Sequence, residues 1–512
     1  MVEDAIFKLA VDTLNKNKQC FVFVNSKRSA EKEAEELSKK LKLQSKELDE
    51  LSEKLLHALS RPTVQCERLA KCAKKGVVFH HAGLCAEQRE LIEDSFRHGL
   101  IKIICCTPTL AAGVDLPAFR TIIRDLKRYG HEGYEWIPVL EFLQMAGRAG
   151  RPSFDNYGEA ICIAGTEAEM EEIIDRYFNG YPESIYSKLA VEPVLRTYLL
   201  SLIASGFVRN KKQILDFFEK TFWAHQFKDM QKLESIIEKM LALLTNFKFI
   251  IRSNKSDDFV SASDIVNETV AATLLGHRVA ELYIDPITAN HLIECMKKKE
   301  EISNIAFLHM ICRANEMRPL LKVKNKDLDL VNQEIVKVSD ELLEAEPPMF
   351  DYDYADFINA FKTSLMLLDW IEEHDEEDLF EKFGIRPGEL RVKLDNADWL
   401  LYSSVELARI EKLKILPEIN KIRTRVMYGV KPELLTLLRL KDIGRVRARK
   451  LYNNGIKDLG DIKKADVKKL ASIIGSKLAV SVKTQVGQKI EEEVKEVKES
   501  KLYKGQTTLE HH

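Results

Sequence analysis

Short apolar runs separated by longer amphipathic stretches set the pattern of the first third of the chain. Phe21-Val-Phe-Val-Asn25 is an apolar strand ending at Asn25-Ser26-Lys27-Arg28, and a long charged helical region follows from about Ser29 to Lys75. Val77-Val-Phe-His-His81 is the next strand, with Ala82-Gly83-Leu84 turning into a helix. Ile101 to Cys106, Thr121 to Arg124 and Ala160 to Ala164 read as three more strands. Apolar strands alternating with helices predict a parallel sheet covered on both faces. Strand ends are where open α/β sheets bind ligands.

After about Tyr181 the pattern becomes mostly helical, with apolar helices at Val191–Ser205 and Lys232–Leu244. Phe247–Ile251 and Phe259–Ser261 are short extended pieces joined by the polar turn Asn254–Asp258, which suggests a winged-helix domain ending near Pro286. From there to about Leu413 the chain reads as a helical bundle, and from Lys414 as a smaller basic helical domain with a charge-dense tail from Ile490. The expected division is an α/β domain over residues 1–180, a winged helix over 181–285, a bundle over 286–413 and a helix-hairpin-helix domain over 414–490. Residues 491–512 form a tail, whose Leu509-Glu-His-His512 reads as the start of a purification tag and is set aside.

Arg386-Pro387-Gly388-Glu389 looks like a helix start. Beyond it Leu390, Leu394, Ala397, Leu401, Val405 and Ala408 form one apolar stripe. At about 100° per residue, Trp399 falls about 180° from that stripe and needs a second partner, a neighbouring domain or a stacked base.

Composition adds that the protein is soluble and globular in type, with 45% hydrophobic and 31% charged residues. The net charge of −2 means that any polyanion must be held by local basic patches. Nine cysteines without a CxxC pair argue against a zinc ribbon or a disulfide framework. The sequence has no long apolar run and no signal peptide, which points to a cytoplasmic protein with no membrane partner. His80 and His81 are neighbours on a strand and point to opposite faces, so they do not share a metal. No metal site is expected.

The chemistry concentrates in Gln144-Met-Ala-Gly147-Arg148-Ala-Gly-Arg151-Pro152 and, upstream, Thr107-Pro-Thr109-Leu-Ala-Ala-Gly113-Val-Asp115-Leu-Pro117. Arginine's planar, permanently charged fork can clamp phosphoryl oxygens and stabilise transition-state charge. Together these segments look like the sixth and fifth signature motifs of a superfamily 2 helicase. Such a motor also needs a GxxxxGK[ST] phosphate loop and an acidic Mg²⁺-binding strand end. No GxxxxGK[ST] occurs in this sequence. The chain therefore reads as lacking the first motor domain, and alone as inactive. A second basic focus is Leu440–Ile456, which resembles a helix-hairpin-helix: Gly444 permits the turn, and Arg445, Arg447, Arg449 and Lys450 surround it, opposed only by Asp442. Ile474-Gly475-Ser-Lys477 looks like a weaker second copy.

The combined pattern resembles the archaeal Holliday-junction-migration helicase (Hjm) family, superfamily 2 DNA helicases related to the Ski-type RNA helicases. The resemblance implies an ATP- and Mg²⁺-dependent DNA helicase, bound to cofactor mainly through the absent domain, moving 3′ to 5′ on single-stranded, forked and Holliday-junction DNA, with replication or recombination proteins as partners. It assigns Gln144, Arg148 and Arg151 to catalysis, and Gly113, Asp115 and Gly147 to nucleotide binding or coupling. It places Asn25, Ser26, Lys27, His81, Gly83, Thr107 and Thr109 on DNA, joined by Arg391 and Trp399 of a ratchet helix and by Gly444, Arg445, Arg447, Arg449 and Lys450. The polar and aromatic insertion Asp125–Ile137, with Tyr129, Tyr134 and Trp136, is where the family places its strand-separating hairpin. The alternatives are a Ski-type RNA helicase and a DNA-binding fragment without enzyme activity. The helix-hairpin-helix favours DNA.

Overall fold

The computed structural model describes residues 2–41, 43–59, 61–111, 114–130, 133–151, 155–189, 191–253 and 269–488. By packing, the chain divides into two units, one of residues 2–184 with Asp375–Arg391, the other of Ile185–His374 with residues 392–488.

The first unit is built on the expected parallel sheet. Strands β1 (Cys20–Phe23), β2 (Val77–His80), β3 (Ile103–Cys106) and β4 (Arg120–Ile123) are buried along their whole length. Strands β5 (Lys127–Tyr129) and β6 (Tyr134–Trp136) form a separate antiparallel hairpin, and β7 (Glu159–Cys162) closes the main sheet. The sheet order is β2-β3-β1-β4-β7, all parallel. Phe21, Phe23, Phe79 and Phe96 fill its core, with Phe21 and Phe96 stacked at 4.9 Å. The charged region after β1 is not one helix but three: Lys27–Lys40, Lys46–Leu56 and Val64–Ala73. Ser26, Ser45 and Thr63 each cap a helix by accepting from a backbone N–H, which is why the chain restarts there.

The second unit begins with helices Glu192–Ala204, Lys211–Glu219 and Met230–Asn246, followed by a two-stranded antiparallel sheet of β8 (Ile250–Ser253) and β9 (Thr269–Ala272). The expected extended piece Phe259–Ser261 lies outside the described residues, and the observed partner of β8 is β9, which the sequence reading did not mark. Arg196 and Asp285 form a buried ion pair at 2.6 Å. Helices Pro286–Lys298, Asn304–Cys312, Asn325–Val338, Tyr354–Ile371 and Leu416–Tyr428 make the bundle, together with residues 392–410 of the long helix Pro387–Ile410. A separate core of Leu434, Leu437, Ile443, Leu451, Ile462, Leu470 and Val482 organises the terminal helices. The predicted tail from Ile490 and residues 509–512 lie outside the described residues. Among the described residues, no helix is long and apolar enough to cross a membrane, and no group of His, Cys, Asp or Glu could hold a metal ion. All nine cysteines are free thiols.

Candidate nucleotide and nucleic-acid interface

A parallel sheet delivers the loops after its strands to one edge. Asn25, Ser26 and Lys27 follow β1, His81 and Gly83 follow β2, Thr107 and Thr109 follow β3, and the hairpin follows β4. Asn25 ties two of these loops together. Its backbone N–H donates to Asp125 Oδ2 at 3.0 Å, and its Nδ2 donates to Lys127 O at 3.2 Å and to Tyr134 Oη at 3.3 Å. The Thr107 and Thr109 hydroxyls share a hydrogen bond of 2.9 Å, with Thr109 exposed. Tyr129 and Tyr134 face each other across the hairpin and stand 84% and 65% exposed. Trp136 differs from them: it is half-buried at the hairpin base, with Lys127 Nζ 3.9 Å above its ring and Tyr177 edge-on at 6.0 Å. It therefore anchors the hairpin rather than tipping it. The turn residues His131 and Glu132 lie outside the described residues.

His81 departs from its expected place on DNA. Its ring is fully buried; Nδ1 accepts from the Gly83 N–H at 3.1 Å, and Nε2 faces Glu31 Oε1 at 3.2 Å. Burial lowers the imidazole pKa further than Glu31 raises it. Desolvation pushes the Glu31 carboxyl upward, but His81, Arg386 and Arg68 outweigh it and hold the pKa at about 2. A ring so enclosed cannot touch a phosphate; it shapes the turn that presents Gly83. The Glu31 carboxylate also accepts from Arg68 Nη1 at 2.7 Å. Lys27 is paired with Glu389.

The second cluster follows helix Val139–Ala146, which ends on Gly147. Gln144 is exposed on that helix and Asp115 is exposed in the fifth motif, while Gly113 lies outside the described residues. The two motifs are stitched together. Arg148 grips the Ala111 carbonyl with Nε and Nη2 at 3.0 and 2.6 Å. Ala118 N–H donates to Arg148 O at 2.9 Å, and Gly150 N–H donates to Ala118 O at 2.6 Å. Gly150 has φ +93°, and a Cβ on Gly158 would lie 2.3 Å from the Gly150 nitrogen, so the first glycine is required by its backbone angle and the second by close backbone passage. Arg151 is half-buried, with Nε on Asp155 Oδ2 at 2.9 Å and Nη1 on Gln19 Oε1 at 2.8 Å. Burial alone would raise the Asp155 pKa, but Arg151 and Lys18 hold it down, so this carboxylate stays charged. Gln19 and Asp155 were not anticipated; the fold brings Gln19 from 132 residues away, whereas Asp155 lies four residues on and was a local partner the sequence already offered.

In the second unit, Trp399 is half-buried and donates its indole N–H to Leu282 O at 2.9 Å. Asn396 donates to Glu316 O at 2.8 Å, and Glu406 pairs with Arg278 at 2.6 Å on the same side of the helix. The apolar stripe is buried as expected, but the face bearing Trp399 is packed as well. Arg391 is exposed at the helix start.

Gly444 caps helix Arg445–Asn453 without a side-chain cap, leaving backbone N–H groups at its positive end. The surrounding arginines are less free than the sequence suggests. Arg449 bridges Glu373 at 2.7 Å and Glu433 at 2.9 Å, so its charge is already matched within the fold. Arg445 lies 4.9 Å from the Trp370 ring centre and donates to His374 O at 2.9 Å. Arg447 donates to Asp442 O at 3.1 Å, and Lys450 is half-buried in the last turn. The second hairpin repeats the design, with Gly475 at φ +86° opening helix Ser476–Gln485.

A five-stranded parallel sheet with stitched fifth and sixth motifs, followed by a bundle and paired helical hairpins, defines the C-terminal portion of a nucleic-acid motor. Family models agree: a helicase conserved C-terminal domain matches residues 2–153, an archaeal helicase domain 4 matches 305–429, and a SAM-like helix-hairpin-helix tandem matches 434–486. The chain is 40% identical to the ATP-dependent DNA helicase Hel308 of Methanococcus vannielii over 94% of its own length and 67% of the relative's. It is 37% identical to Hel308 of Methanocella arvoryzae, covering 99% and 68%, and 39% identical to that of Pyrococcus horikoshii, covering 94% and 66%. The chain belongs to the Hel308 family of DNA helicases, and it spans about two thirds of the length of these relatives.

Proposed function

We propose that this chain supplies the second motor domain and the DNA-handling domains of an ATP-dependent helicase that moves 3′ to 5′ and opens forked and branched DNA during fork repair and recombination. The observation that carries the reading is the stitch between the motifs. Arg148, beside the nucleotide-facing Arg151, holds the carbonyl that ends the Thr107–Ala111 segment. A displacement at the phosphate side is therefore passed to the threonines that face DNA. The proposed division assigns residues 1–180 to the motor domain, 181–285 to a winged helix, 286–413 to a ratchet bundle and 414–490 to a phosphate-gripping terminal domain. Replication or recombination proteins are the partners we expect, in the cytoplasm. The helix-hairpin-helix tandem and the DNA-helicase relatives favour DNA over RNA.

Bound ATP supplies the phosphoryl group and Mg²⁺ its charge neutralisation. Two arginines and the exposed Gln144 suit the triphosphate side of such a site, whereas no described acidic cluster suits Mg²⁺. We therefore assign the phosphate loop and the Mg²⁺ ligands to another motor domain, and this chain alone is inactive. Arg151 must exchange Asp155 for a phosphoryl oxygen, a trade between two anions that costs little while Asp155 keeps Lys18. In a full-length enzyme, Arg151→Ala should lower DNA-stimulated turnover by about 10³-fold or more, as loss of an arginine finger does. Single-strand affinity should stay near that of the parent. A near-parental turnover number would exclude the assigned role.

A further inference from the structure

The start of the long helix Pro387–Ile410 sits on the turn that follows β2. Gly388 N–H donates to Gly83 O at 3.1 Å, so a carbonyl of the turn satisfies one of the helix's free amides. A Cβ on Gly388 would lie 2.3 Å from Leu84 O and 2.4 Å from Ala82 O, which are backbone atoms that cannot swing aside. The fit is reciprocal, because a Cβ on Gly83 would lie 2.4 Å from Arg386 Cδ. Arg386 Nε reaches the buried Glu31 Oε1 at 3.2 Å, and its backbone N–H donates to Glu389 Oε2 at 3.0 Å. Glu389 is also paired with Lys27, just beyond the end of β1. Residues up to Arg391 pack with the first unit, and the same helix continues without a break into the second as far as Ile410.

We propose that Arg386 and Gly388 are positioning residues of a rigid joint that fixes the long helix to the His81–Leu84 turn, so that each displacement of the motor domain is transmitted to the helix. This rests on the reading of the chain as part of a DNA-translocating motor. A glycine and an arginine achieve it jointly: the glycine lets backbone meet backbone, and the arginine locks the contact through a carboxylate that stays ionised. A helix is stiff enough to act as the lever, since its hydrogen bonds run along its axis.

The test is the number of ATP molecules consumed per base pair unwound by a full-length enzyme, measured for the parent, Arg386→Gln, Arg386→Lys and Gly388→Ala. The joint predicts DNA-stimulated ATPase near the parent's in Arg386→Gln, and a cost per base pair raised by about tenfold, the signature of lost coupling rather than lost chemistry. Arg386→Lys should recover part of the coupling. Gly388→Ala should uncouple similarly; if it fails to fold, Arg386→Gln alone decides. An unchanged cost per base pair, or ATPase and unwinding that fall in parallel, overturns the joint. A parent enzyme without DNA-stimulated ATPase or unwinding would instead overturn the motor reading itself.

Discussion

His309 illustrates how strongly one residue's setting can govern its chemistry. Its ring is buried between Phe357 at 4.7 Å and Phe361 at 5.9 Å, and its Nε2 has no partner. Burial, with Arg313 nearby, lowers its pKa from 6.5 to about 3. The folded protein therefore refuses a proton that the unfolded chain takes up below pH 6.5. The neutral ring's contribution is complete above that value and is lost as pH falls toward 3, at up to about 1.4 kcal/mol per pH unit. His309→Phe keeps a ring in place and removes the titration. Between pH 7.5 and 5, urea denaturation should show the parent losing on the order of 2 kcal/mol more than the variant. Equal losses would mean that the ring protonates without cost. Glu31 is instead held charged by the fold; its contribution is likewise lost as pH falls, but only from 4.5 toward about 2, so the interval from pH 7.5 to 5 reads His309 without it.

At the scale of elements, the hairpin is rooted more firmly than its length suggests. Its register pairs Lys127 with Trp136 and Tyr129 with Tyr134, and Asn25 holds its first strand from the β1 loop. Ile137 N–H closes its base on Leu126 O at 2.9 Å. If the exposed tyrosines part the strands, as proposed, shortening Lys127–Glu135 to a tight turn while keeping Trp136 should abolish unwinding and spare DNA-stimulated ATPase. Loss of both activities together would make the hairpin a brace and not a wedge. Strands β1, β2 and β3 were legible because they are buried along their whole length and so read as mostly apolar runs. Strand β9, Thr-Val-Ala-Ala, was not legible, because only pairing with β8 makes so small a segment extended. The packed face of the long helix was missed for a related reason. Asn396, Trp399 and Glu406 bury polar atoms against carbonyls and an arginine, and hydrophobic periodicity does not register polar packing.

At the scale of the whole molecule, charge and motif content argue together. A formal charge of −2 provides no general attraction to DNA, so affinity must come from places where backbone amides and a few cations converge. The sequence located both helical hairpins by their glycines, but it could not show that Arg449 is already claimed by Glu373 and Glu433, since those carboxylates come from distant segments. Nor does a motif reveal all that its arginines hold; Gln19, 132 residues from Arg151, became visible only through the fold. What the sequence does state is a lack: no GxxxxGK[ST] lies within these 512 residues. Two arginines can complete a phosphate site, but they cannot cradle the β-phosphate or fix Mg²⁺. The purified chain should therefore bind single-stranded DNA of any sequence, with log K falling as log salt rises, while hydrolysing no ATP in its presence. The check is a DNA-stimulated ATPase assay on the chain beside its Arg151→Ala variant. Hydrolysis present in both preparations comes from a contaminant. Hydrolysis present in the chain and absent from the variant would show that these residues form a complete catalytic site, and the division of labour proposed for them would fall.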